Sequence, residues 1–490
     1  MSDNKGITPR ATDYSQWYLD VIEAADLAEN SIVRGCMIIK PNGYALWEAF
    51  QKVLDGMIKE TGHRNAYFPL FIPKSLFAKE AEHIDGFAKE SAVVTHHRLK
   101  VSEGKLVTDP EAKLEEELVV RPTSETIIYN AFSNWITSWR DLPVLINQWA
   151  NVVRWELRTK PFLRTAEFLW QEGHTAHATQ EQAEEEARKM LSVYQKFAEE
   201  YLAMSVVPGQ KTESEKFAGA LRTFTIEAMM QDGKALQAGT SHNLGDNFAK
   251  AFDVQYTDEN GEQKYVWQTS WGLSTRMIGG LIMQHSDDKG LVLPPKIAPI
   301  KAVIIPIVKE DTKEEVLEYA NKVKEQLAPI GQIQLDTRDY LTTGEKFYYW
   351  EKRGVPVRIE VGKRDLDNNA AVVVRRDNSE KAIVAITELN NTVEDLLNKI
   401  QIALKQKSEK FRLDNSYRID NYEEFKKQID SDIPGFIYSH WCGSAECEAQ
   451  IKEETKATTR CIPFEEKDEE GTCIKCGSHS NRRVIFAKAY

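Results

Sequence analysis

Charged and aromatic side chains alternate along residues 152–177, which read VVRWELRTKPFLRTAEFLWQEGHTAH. Arg154 and Glu156 are two residues apart, so on a predicted strand their side chains share a face. After a predicted turn, a second strand places four more such side chains on one face: Arg164, Phe168, Trp170 and Glu172. Guanidinium groups bind phosphate or carboxylate oxygens, rings stack on bases, and carboxylates accept from amines. The mixture indicates a site for an adenine nucleotide with an acyl phosphate; the alternative is a solvated antiparallel face without a ligand.

The elements that position this segment must come from a large chain. At 490 residues, with 42% hydrophobic residues, the sequence predicts about two to four domains with buried cores. The first ten residues lack an apolar signal region, and no segment approaches the ~18 apolar residues of a membrane span, so we expect a cytoplasmic protein without a membrane partner. A net charge of −12 argues against sequence-independent binding to nucleic acid, so an RNA partner would need local Lys/Arg patches.

The segment resembles the second signature motif of class II aminoacyl-tRNA synthetases, in which Arg-x-Glu is followed by a loop and Arg-x-x-x-Phe. Two other segments resemble the remaining class II motifs. A predicted helix at 43–61 and a proline-interrupted strand at 66–73 resemble the first motif, which in that class builds the homodimer interface, with Pro69 as the proline. Gly272 followed by Arg276 resembles the third motif, where a strand turns into a helix and the arginine meets the γ-phosphate. An ordinary helix and strand is the alternative for the first motif.

Residues 118–127 predict a strand, a proline-marked corner and a helix start, with Thr123 as the N-cap. The Thr-x-Glu pattern of Thr123 and Glu125 also resembles the loop with which class IIa synthetases hold the substrate ammonium. Glu125 for the amine and Arg154 for the carboxylate would fix an amino acid by both of its charges.

The segments RPTSET, WQEGHTAH, EKFAGA, GTSH and QTSWGLSTR together resemble the prolyl-tRNA synthetases of archaeal and eukaryote-like type, over essentially the whole chain. The resemblance implies ATP-dependent formation of prolyl-adenylate and transfer of proline to tRNA(Pro), with Mg²⁺ offsetting phosphate charge. About a hundred residues after the second motif leave no room for the editing domain that bacterial-type relatives insert there. The small-residue segment 237–245 is expected to be a loop. His242 within it is a reasonable substrate contact, although a lone histidine is usually structural.

The implied site residues fall into two overlapping groups. Proline would be bound by Thr123, Glu125, Arg154, Trp170, Glu172, Phe217, His242 and Ser270. ATP would be bound by Arg154, Glu156, Arg164, Thr165, Phe168, Gln237, Thr240, Ser274 and Arg276. Arg154 and Arg276 are the expected catalytic residues, since charge develops at the phosphate during adenylate formation. Trp170, Phe217 and His242 can wall a flat ring, in agreement with a small apolar secondary amine.

We expect three domains with different folds. Residues 1–292 should form an α+β catalytic domain on an antiparallel sheet, and 297–408 an α/β anticodon-binding domain, since strands alternate with helices there. Residues 411–490 should form a small C-terminal α+β zinc-binding domain. Charged candidates for anticodon contacts lie around one predicted strand: Glu351, Arg358 and Arg364, with Lys352 and Lys363 beside them. A solvated sheet edge explains each of these charges equally well.

Four of the six cysteines occupy paired short spacings, Cys442-x4-Cys447 and Cys473-x2-Cys476. Such pairs predict a closed, structural Zn(Cys)4 site, the alternative being reduced thiols without a metal. Cys36 and Cys461 are left over as packed or free thiols. The apolar end of the chain and the resemblance predict that Tyr490 is ordered near the active site.

Two other functions fit parts of the pattern. One is a class IIa synthetase for threonine, glycine or histidine; a threonine enzyme would hold its metal in the active site, whereas the paired cysteines here are remote from the motifs. The other is a non-enzymatic RNA-binding or regulatory paralogue. The intact set of Arg154, Glu156, Phe168 and Arg276 argues against the latter.

Overall fold

The computed structural model describes residues 6–79, 91–156 and 158–490. We divide the chain into an N-terminal unit (residues 6–292), a middle unit (297–414) and a C-terminal unit (415–490). Up to residue 135 the N-terminal unit has helices α1 Tyr14–Ala24, α2 Pro41–Glu60, α3 Lys74–Phe77 and α4 Glu125–Trp135. Its strands there are β1 Ala28–Asn30, β2 Met37–Ile39, β3 Arg64–Asn65, β4 Phe71–Pro73, β5 Val93–His96, β6 Leu99–Ser102, β7 Lys105–Thr108 and β8 Lys113–Val120. Among the described residues, no helix is both long and apolar enough to cross a membrane.

Helix α2 confirms the helix predicted for the first motif. It begins with Pro41, whose fixed φ suits the first helical position, and it buries one face: Leu46, Trp47, Phe50, Leu54 and Ile58. The strand predicted at 66–73 is reduced to Phe71–Pro73. The reason is that side chains replace the strand ladder: the Phe68 N–H donates to Gln148 (2.6 Å), and the Phe68 carbonyl accepts from Arg121 (2.9 Å).

The rest of the N-terminal unit builds a long antiparallel sheet with helices packed on it. Its elements are β9 Val144–Val153, β10 Glu167–His177, α5 Gln180–Lys196, β11 Val206–Gln210, β12 Arg222–Met229, β13 Ala235–Gly245, α6 Asn247–Phe252, β14 Gln255–Thr257, β15 Gln263–Tyr265, β16 Trp267–Ser274 and α7 Arg276–His285. Strands β9 and β10 pair antiparallel, as predicted for the second motif. The strand-to-helix turn predicted for the third motif lies between β16 and α7. Residues 178–266 contribute helices and strands to this same unit, so no separate domain is inserted there.

Three local expectations are wrong. Arg154 and Glu156 follow β9 rather than belonging to it. The Arg154 N–H still bonds to the Ala166 carbonyl (2.8 Å), but the Ala166 N–H donates to the Gly35 carbonyl (2.8 Å) instead of returning to Arg154, so the ladder ends there. Arg164 likewise precedes β10, since Phe162 adopts a left-handed conformation (φ 60) that no strand continues through. The small-residue segment at 237–245, expected as a loop, forms the last nine residues of strand β13.

The middle unit is a five-stranded mixed sheet with helices on it. Its elements are β17 Ala302–Ile307, α8 Lys313–Leu327, β18 Ile333–Leu335, α9 Thr343–Lys352, β19 Val357–Gly362, α10 Lys363–Asp367, β20 Ala370–Arg375, β21 Lys381–Ala385 and α11 Leu389–Asp414. The strand order is β18-β17-β19-β20-β21, with the first three parallel. This is the expected α/β layer architecture. Helix α11 runs through the boundary predicted between residues 408 and 411, because apolar residues such as Leu404 keep its buried face continuous.

The C-terminal unit has β22 Ser416–Arg418, α12 Tyr422–Ile429, β23 Phe436–His440, α13 Ala445–Thr455, β24 Thr458–Pro463, β25 Gly471–Thr472, β26 His479–Ser480 and β27 Arg483–Ala487. Its main strands do not form a separate sheet. They extend the sheet of the N-terminal unit, giving the order β22-β23-β27-β24-β11-β12-β13-β16-β10-β9-β3. Gly209 makes the junction possible, because a Cβ there would lie 2.6 Å from the Ile462 carbonyl oxygen.

Buried charges fasten the same junction. The Glu227 carboxylate is fully buried and accepts from the Lys211 ammonium (2.8 Å) and the Arg460 guanidinium (2.9 and 3.0 Å). These two cations hold the pKa of Glu227 below its usual value against the opposing effect of burial. Since β24 supplies Arg460, the C-terminal unit completes an ion network beneath the sheet.

Candidate active site

A cavity of about 240 Å³ opens on one face of the antiparallel sheet, across strands β10, β16, β13 and β12. Thirteen residues predicted to bind proline or ATP line this central cavity: Thr123, Glu125, Arg154, Phe168, Trp170, Glu172, Phe217, Gln237, Thr240, His242, Ser270, Ser274 and Arg276. Strand register explains the convergence, because Glu172 lies opposite Gly272, and Gly272 lies opposite Thr240 on the next strand. The alternating faces of four neighbouring strands thus bring together residues that are distant in sequence.

One end of the cavity, which we call the carboxylate end, contains Glu172 and Glu125. The Glu172 carboxylate is 2% exposed, and it accepts from the Ser124 hydroxyl (2.6 Å) and the Gln148 amide (2.8 Å). Its second oxygen lies 2.9 Å from the His174 Nε2 atom. Three protein groups therefore fix this carboxylate before any ligand arrives.

Thr123 is not the N-cap of helix α4. Ser124 occupies that position, and the Thr123 hydroxyl donates instead to the carboxylate of Glu125, the first residue of the helix. The helix begins at Glu125, one residue later than a cap at Thr123 requires, so the predicted capping position is wrong. The helix N-terminus also stabilises the negative charge of Glu125 through its dipole.

Aromatic rings wall the space beside the two carboxylates. The Phe217 and His242 rings stack with centroids 4.6 Å apart, and the His242 Nδ1 atom lies 3.0 Å from the Thr223 hydroxyl. Burial lowers the pKa of His242 to about 4, so its imidazole is neutral at pH 7. Within the described part of the chain, the buried Ser270 hydroxyl and the Trp170 indole N–H have no hydrogen-bond partner. Two polar atoms are therefore available to a ligand.

The other end, which we call the arginine end, gathers three guanidinium groups. Arg154 donates to the Pro122 carbonyl (3.0 Å), and its guanidinium carbon lies 5.5 Å from the ring centroids of both Phe168 and Trp170. Arg276 begins helix α7. Burial, together with the positive charges of Arg154 and Arg164, lowers the pKa of Arg276 to about 10. Clustered cations that repel one another in this way form a site for a polyanion.

Three predicted nucleotide contacts lie outside the cavity lining: Glu156, Arg164 and Thr165. Glu156 and Arg164 face each other across the loop between β9 and β10, with 3.7 Å between Oε2 and Nε. The Thr165 hydroxyl donates to the Glu167 carbonyl (2.7 Å), so its role in this structure is to shape the loop. The structure leaves these three residues beside the cavity rather than in its wall.

Sequence reasoning missed four polar residues of the lining: His174, Glu215, Lys216 and Thr223. His174 could have been found, because it follows Glu172 by two residues on β10 and so shares its face. The other three come from a loop and from a strand whose pairing with β13 had no local signal in the sequence.

The middle unit brings two of the three predicted anticodon residues together. Glu351 and Arg358 line a depression, which we call the middle-unit depression, with Lys289, Phe347, Trp350, Arg376, Ser379 and Lys381. Arg358 lies over the Phe347 ring (4.1 Å) and donates to Glu360 (2.8 and 3.0 Å). Arg364 does not join them, since it lies in α10 beyond the far end of β19, which runs about 13 Å past Arg358 at ~3.3 Å per residue.

The four paired cysteines form one cluster, with all sulfur atoms within 4.8 Å of one another. The Cys442 sulfur lies 3.8 Å from that of Cys447 and 3.7 Å from that of Cys476. A tetrahedron of Zn–S bonds of about 2.3 Å requires sulfur separations of about 3.8 Å, so the cluster fits zinc. Cys461 lies on β24 instead, where burial raises its pKa to about 12.

Tyr490, predicted to lie near the active site, packs against the N-terminal unit. Its hydroxyl donates to Asp232 (2.6 Å), and its N–H donates to the Ala235 carbonyl (3.2 Å). Its ring lies 5.2 Å from the ammonium of Lys160 and 5.3 Å from that of Lys234. Tyr490 does not line the cavity, but through Lys160 it contacts the loop that carries Arg164.

Three family models match the chain. Residues 107–285 match "tRNA synthetase class II core domain (G, H, P, S and T)", 301–396 match "Anticodon binding domain", and 422–490 match "Prolyl-tRNA synthetase, C-terminal". The antiparallel sheet, its arginine-containing cavity and the core match define a class II aminoacyl-tRNA synthetase.

Full-length relatives narrow the class to one family. A proline-tRNA ligase of Porphyromonas gingivalis is 58% identical over 490 residues, covering 99% of each chain. One of Bacteroides fragilis is 58% identical over 496 residues, covering 99% of each chain, and one of Flavobacterium johnsoniae is 56% identical over 494 residues, covering 99% of this chain and 100% of the relative. The chain therefore belongs to the prolyl-tRNA synthetase family, and the alternative of a threonine, glycine or histidine family is removed.

Proposed function

We propose that the chain is an ATP-dependent ligase that attaches L-proline to tRNA(Pro) through a prolyl-adenylate intermediate. The observation that carries the proposal is the single cavity in which a carboxylate end and an arginine end meet at Arg154. Family membership supports the substrate, because its relatives are named proline-tRNA ligases.

The carboxylate end binds proline. Its secondary ammonium donates to Glu125 and Glu172, and its ring fits against Trp170, Phe217 and the neutral His242, with Thr123 and Ser270 offering hydroxyl groups. A neutral imidazole is required there, since an imidazolium would repel the ammonium of the substrate. The buried, already hydrogen-bonded Glu172 makes this end selective for an amine in one position.

The arginine end binds ATP and stabilises the charge that develops during activation. A carboxylate oxygen of proline attacks the α-phosphorus, a P–O bond forms, and pyrophosphate leaves with the electrons of the broken P–O bond. Arg154 contacts both the carboxylate and the α-phosphate, while Arg276 faces the γ-phosphate. Glu156 and Phe168 hold the adenine, and Arg164, Thr165, Gln237, Thr240 and Ser274 complete the nucleotide site. Mg²⁺ would offset the charge of the β- and γ-phosphates, and no covalent nucleophile is proposed.

In the second step a ribose hydroxyl of the terminal adenosine of tRNA attacks the prolyl carbonyl, and AMP leaves. Glu351 and Arg358 in the middle-unit depression are the proposed contacts for anticodon bases, since a carboxylate and a stacked guanidinium read base edges. Arg364, at the other end of the sheet, is retained only as a contact to the RNA backbone.

Pyrophosphate exchange into ATP with single amino acids tests the function. We expect proline alone to stimulate exchange. Stimulation by another amino acid would show that proline is not the substrate. The absence of exchange across the panel would support the non-enzymatic RNA-binding paralogue. Charging of tRNA(Pro) transcript in the same preparation tests the second step.

We propose that the cysteine cluster holds a structural zinc ion, with Cys442, Cys447, Cys473 and Cys476 as thiolate ligands. Zinc would fold the C-terminal unit and thereby support β24, the strand that joins the central sheet. Metal analysis should give about one zinc per chain for the wild type and for Cys461→Ser, a buried cysteine outside the cluster, but none for Cys473→Ser. Equal zinc content in both variants would refute the site.

We also propose a homodimer through the first-motif region. Large apolar side chains are exposed there, among them Ile38, Tyr44, Tyr67 and Phe71. Tyr67→Glu should yield monomers in light scattering, whereas Ile383→Glu, at an equally exposed position of the middle unit, should remain dimeric. If Tyr67→Glu remains dimeric, the dimer interface lies outside the first-motif region. We propose the three domains named above, with the second boundary at the end of α11, and a cytoplasmic location.

A further inference from the structure

The turn at residues 287–290, which follows helix α7 of the N-terminal unit, packs directly on the end of helix α9 in the middle unit. The Leu291 N–H donates to the Lys352 carbonyl (3.0 Å). Gly290 and Gly354 permit this approach: a Cβ on Gly290 would lie 2.7 Å from the Lys352 Cα atom, and one on Gly354 would lie 2.7 Å from the Leu291 carbonyl oxygen. The two backbones are therefore in contact, with no side chain between them.

An ion pair fixes the same contact. Arg376 of the middle unit donates through both terminal nitrogens to the Asp287 carboxylate (2.7 and 2.8 Å), and its Nε atom donates to the Glu351 carbonyl (2.9 Å). The Arg376 side chain is only 5% exposed. The bidentate geometry leaves Arg376 little freedom to move independently of Asp287. Arg376 also holds the pKa of Asp287 below its usual value, although burial alone would raise it.

The turn also reaches into the middle-unit depression. The Lys289 ammonium lies 3.7 Å from the Glu351 carboxylate and 3.4 Å from the Ser379 hydroxyl. A base that engages Glu351 must therefore compete with Lys289 or shift it. Occupation of the depression thus changes forces on the turn itself, and not only on the middle unit.

Helix α7 connects this turn to the arginine end of the cavity. It begins at Arg276 and ends at His285, a rod of about 15 Å for ten residues, and each residue from Met277 to His285 is buried. The Asp287 carbonyl is held in turn by the Trp17 indole N–H (3.1 Å). Because a fully packed helix moves as one body, Arg276 and the turn share any displacement.

We propose that the Asp287–Arg376 pair couples occupation of the middle-unit depression by an anticodon base to the position of Arg276 at the nucleotide. The inference rests on the proposed function, since it takes the depression as the anticodon site. The proposal implies a coupling free energy between the two sites. The anticodon loop and ATP would both bind more tightly to the protein when the turn at residues 287–290 adopts the same arrangement.

Pyrophosphate exchange with proline, with and without an isolated anticodon stem-loop of tRNA(Pro), measures this coupling. The stem-loop cannot be charged, so any effect on ATP must travel through the protein. In the wild type we expect saturating stem-loop to lower the KM for ATP by about fivefold, the lower range of measured allosteric couplings. Asp287→Asn should abolish this change while its exchange without RNA stays at the wild-type level.

Asp377→Asn is the matched control. Arg375 and Asp377 form an equally bidentate pair (2.8 and 3.0 Å) in the same loop, but this pair lies wholly within the middle unit. The control should retain the fivefold response. If thermal denaturation shows that Asp287→Asn is not folded, Arg376→Lys takes its place, because lysine keeps the positive charge but cannot form the bidentate contact. Arg376→Lys should show a reduced response.

Fluorescence anisotropy of the labelled stem-loop distinguishes a failure of the proposed anticodon site from a failure of the coupling. If the stem-loop does not bind the wild type, the anticodon role proposed for the depression is wrong and the coupling fails with it. If it binds but leaves the KM for ATP unchanged, or if Asp287→Asn responds as fully as Asp377→Asn, the coupling alone is refuted and the proposed function stands.

Discussion

The two ends of the central cavity are built on opposite principles. At the carboxylate end, Glu172 is buried and receives donors from Ser124, Gln148 and His174, so its position is set by the protein. At the arginine end, Arg154, Arg164 and Arg276 repel one another, and Arg164 has 48% of its side chain exposed. One end is electrostatically satisfied before binding, whereas the other lowers its energy when a polyanion arrives.

Selectivity and driving force therefore reside at different ends of the cavity. A rigid, satisfied site rejects ligands that cannot replace its partners, which suits discrimination among amino acids. The cluster of mutually repelling arginines binds any phosphate chain, and this binding energy positions the α-phosphorus for attack. Arg154 belongs to both ends, because it stacks near Trp170 of the ring wall and is electrostatically coupled to Arg276.

The largest effect is expected at Arg154. In Arg154→Lys the bidentate fork is lost at the position where both substrates meet, and kcat/KM for proline-dependent exchange should fall about 10³-fold. Arg188→Lys is the control, because Arg188 also lies over an aromatic ring, that of Phe224 (4.5 Å), but outside the cavity. A loss below about tenfold would show that the two ends do not share this residue.

Glu172→Gln tests the carboxylate end alone. Replacing a charged acceptor should raise the KM for proline about 10- to 100-fold, since hydrogen bonds to charged groups contribute ~1.5–3 kcal/mol, while the KM for ATP stays unchanged. Glu186→Gln, another buried glutamate outside the cavity, should leave both values alone. An equal rise in the KM for ATP would contradict the separation of the two ends. Steady-state exchange at varied proline and varied ATP gives both constants.

Arg164→Ala tests the arginine end alone, with a smaller effect. Because this side chain is half exposed, solvent and salt screen its charge, and the KM for ATP should rise only about three- to tenfold. The KM for proline should not change. Arg222→Ala, at a similarly exposed position of β12, provides the baseline. A rise in the KM for proline matching that for ATP would count against the comparison.

The smallest effect concerns pH at the carboxylate end. Burial lowers the pKa of His242 from 6.5 to about 4, so its stabilising contribution is complete above about pH 6.5 and is lost as the pH falls through about 4. The KM for proline should consequently vary less than about twofold between pH 7 and 8. Urea unfolding should show that the stability difference between wild type and His242→Asn shrinks by about 2 kcal/mol from pH 7 to pH 5.

The control for the pH experiment is His97→Asn, since His97 is exposed. The change in stability measured for this exposed variant is the baseline to subtract from that of His242→Asn. A constant difference for His242→Asn would mean that the imidazole is not held neutral by burial.

Local patterns predicted much of the cavity, because side-chain parity on a strand is a property of neighbouring residues. Phe168, Trp170 and Glu172 share the face that the spacing of two predicted. The paired spacings of the four cysteines likewise predicted their cluster. His174 obeys the same parity as Glu172, so the same local rule also applies to it.

The remaining features depend on contacts that no local pattern contains. Arg154 lies beyond its strand because the Ala166 N–H, on the returning chain, donates to the Gly35 carbonyl rather than to Arg154. The Thr123 hydroxyl donates to the Glu125 carboxylate, and the helix begins one residue later than a cap at Thr123 requires. The pairing of Gly209 with Pro463 joins strands separated by the whole middle unit, so the continuity of the sheet could not be read from either segment.

The most direct test of the account is a crystal structure with a non-hydrolysable sulfamoyl analogue of prolyl-adenylate. We expect the Arg154 guanidinium within hydrogen-bond distance of both the prolyl carbonyl and the group that replaces the α-phosphate, with the proline ring between Trp170, Phe217 and His242. An analogue bound in the cavity with Arg154 turned away from both groups would show that Arg154 does not join the amino acid to the nucleotide.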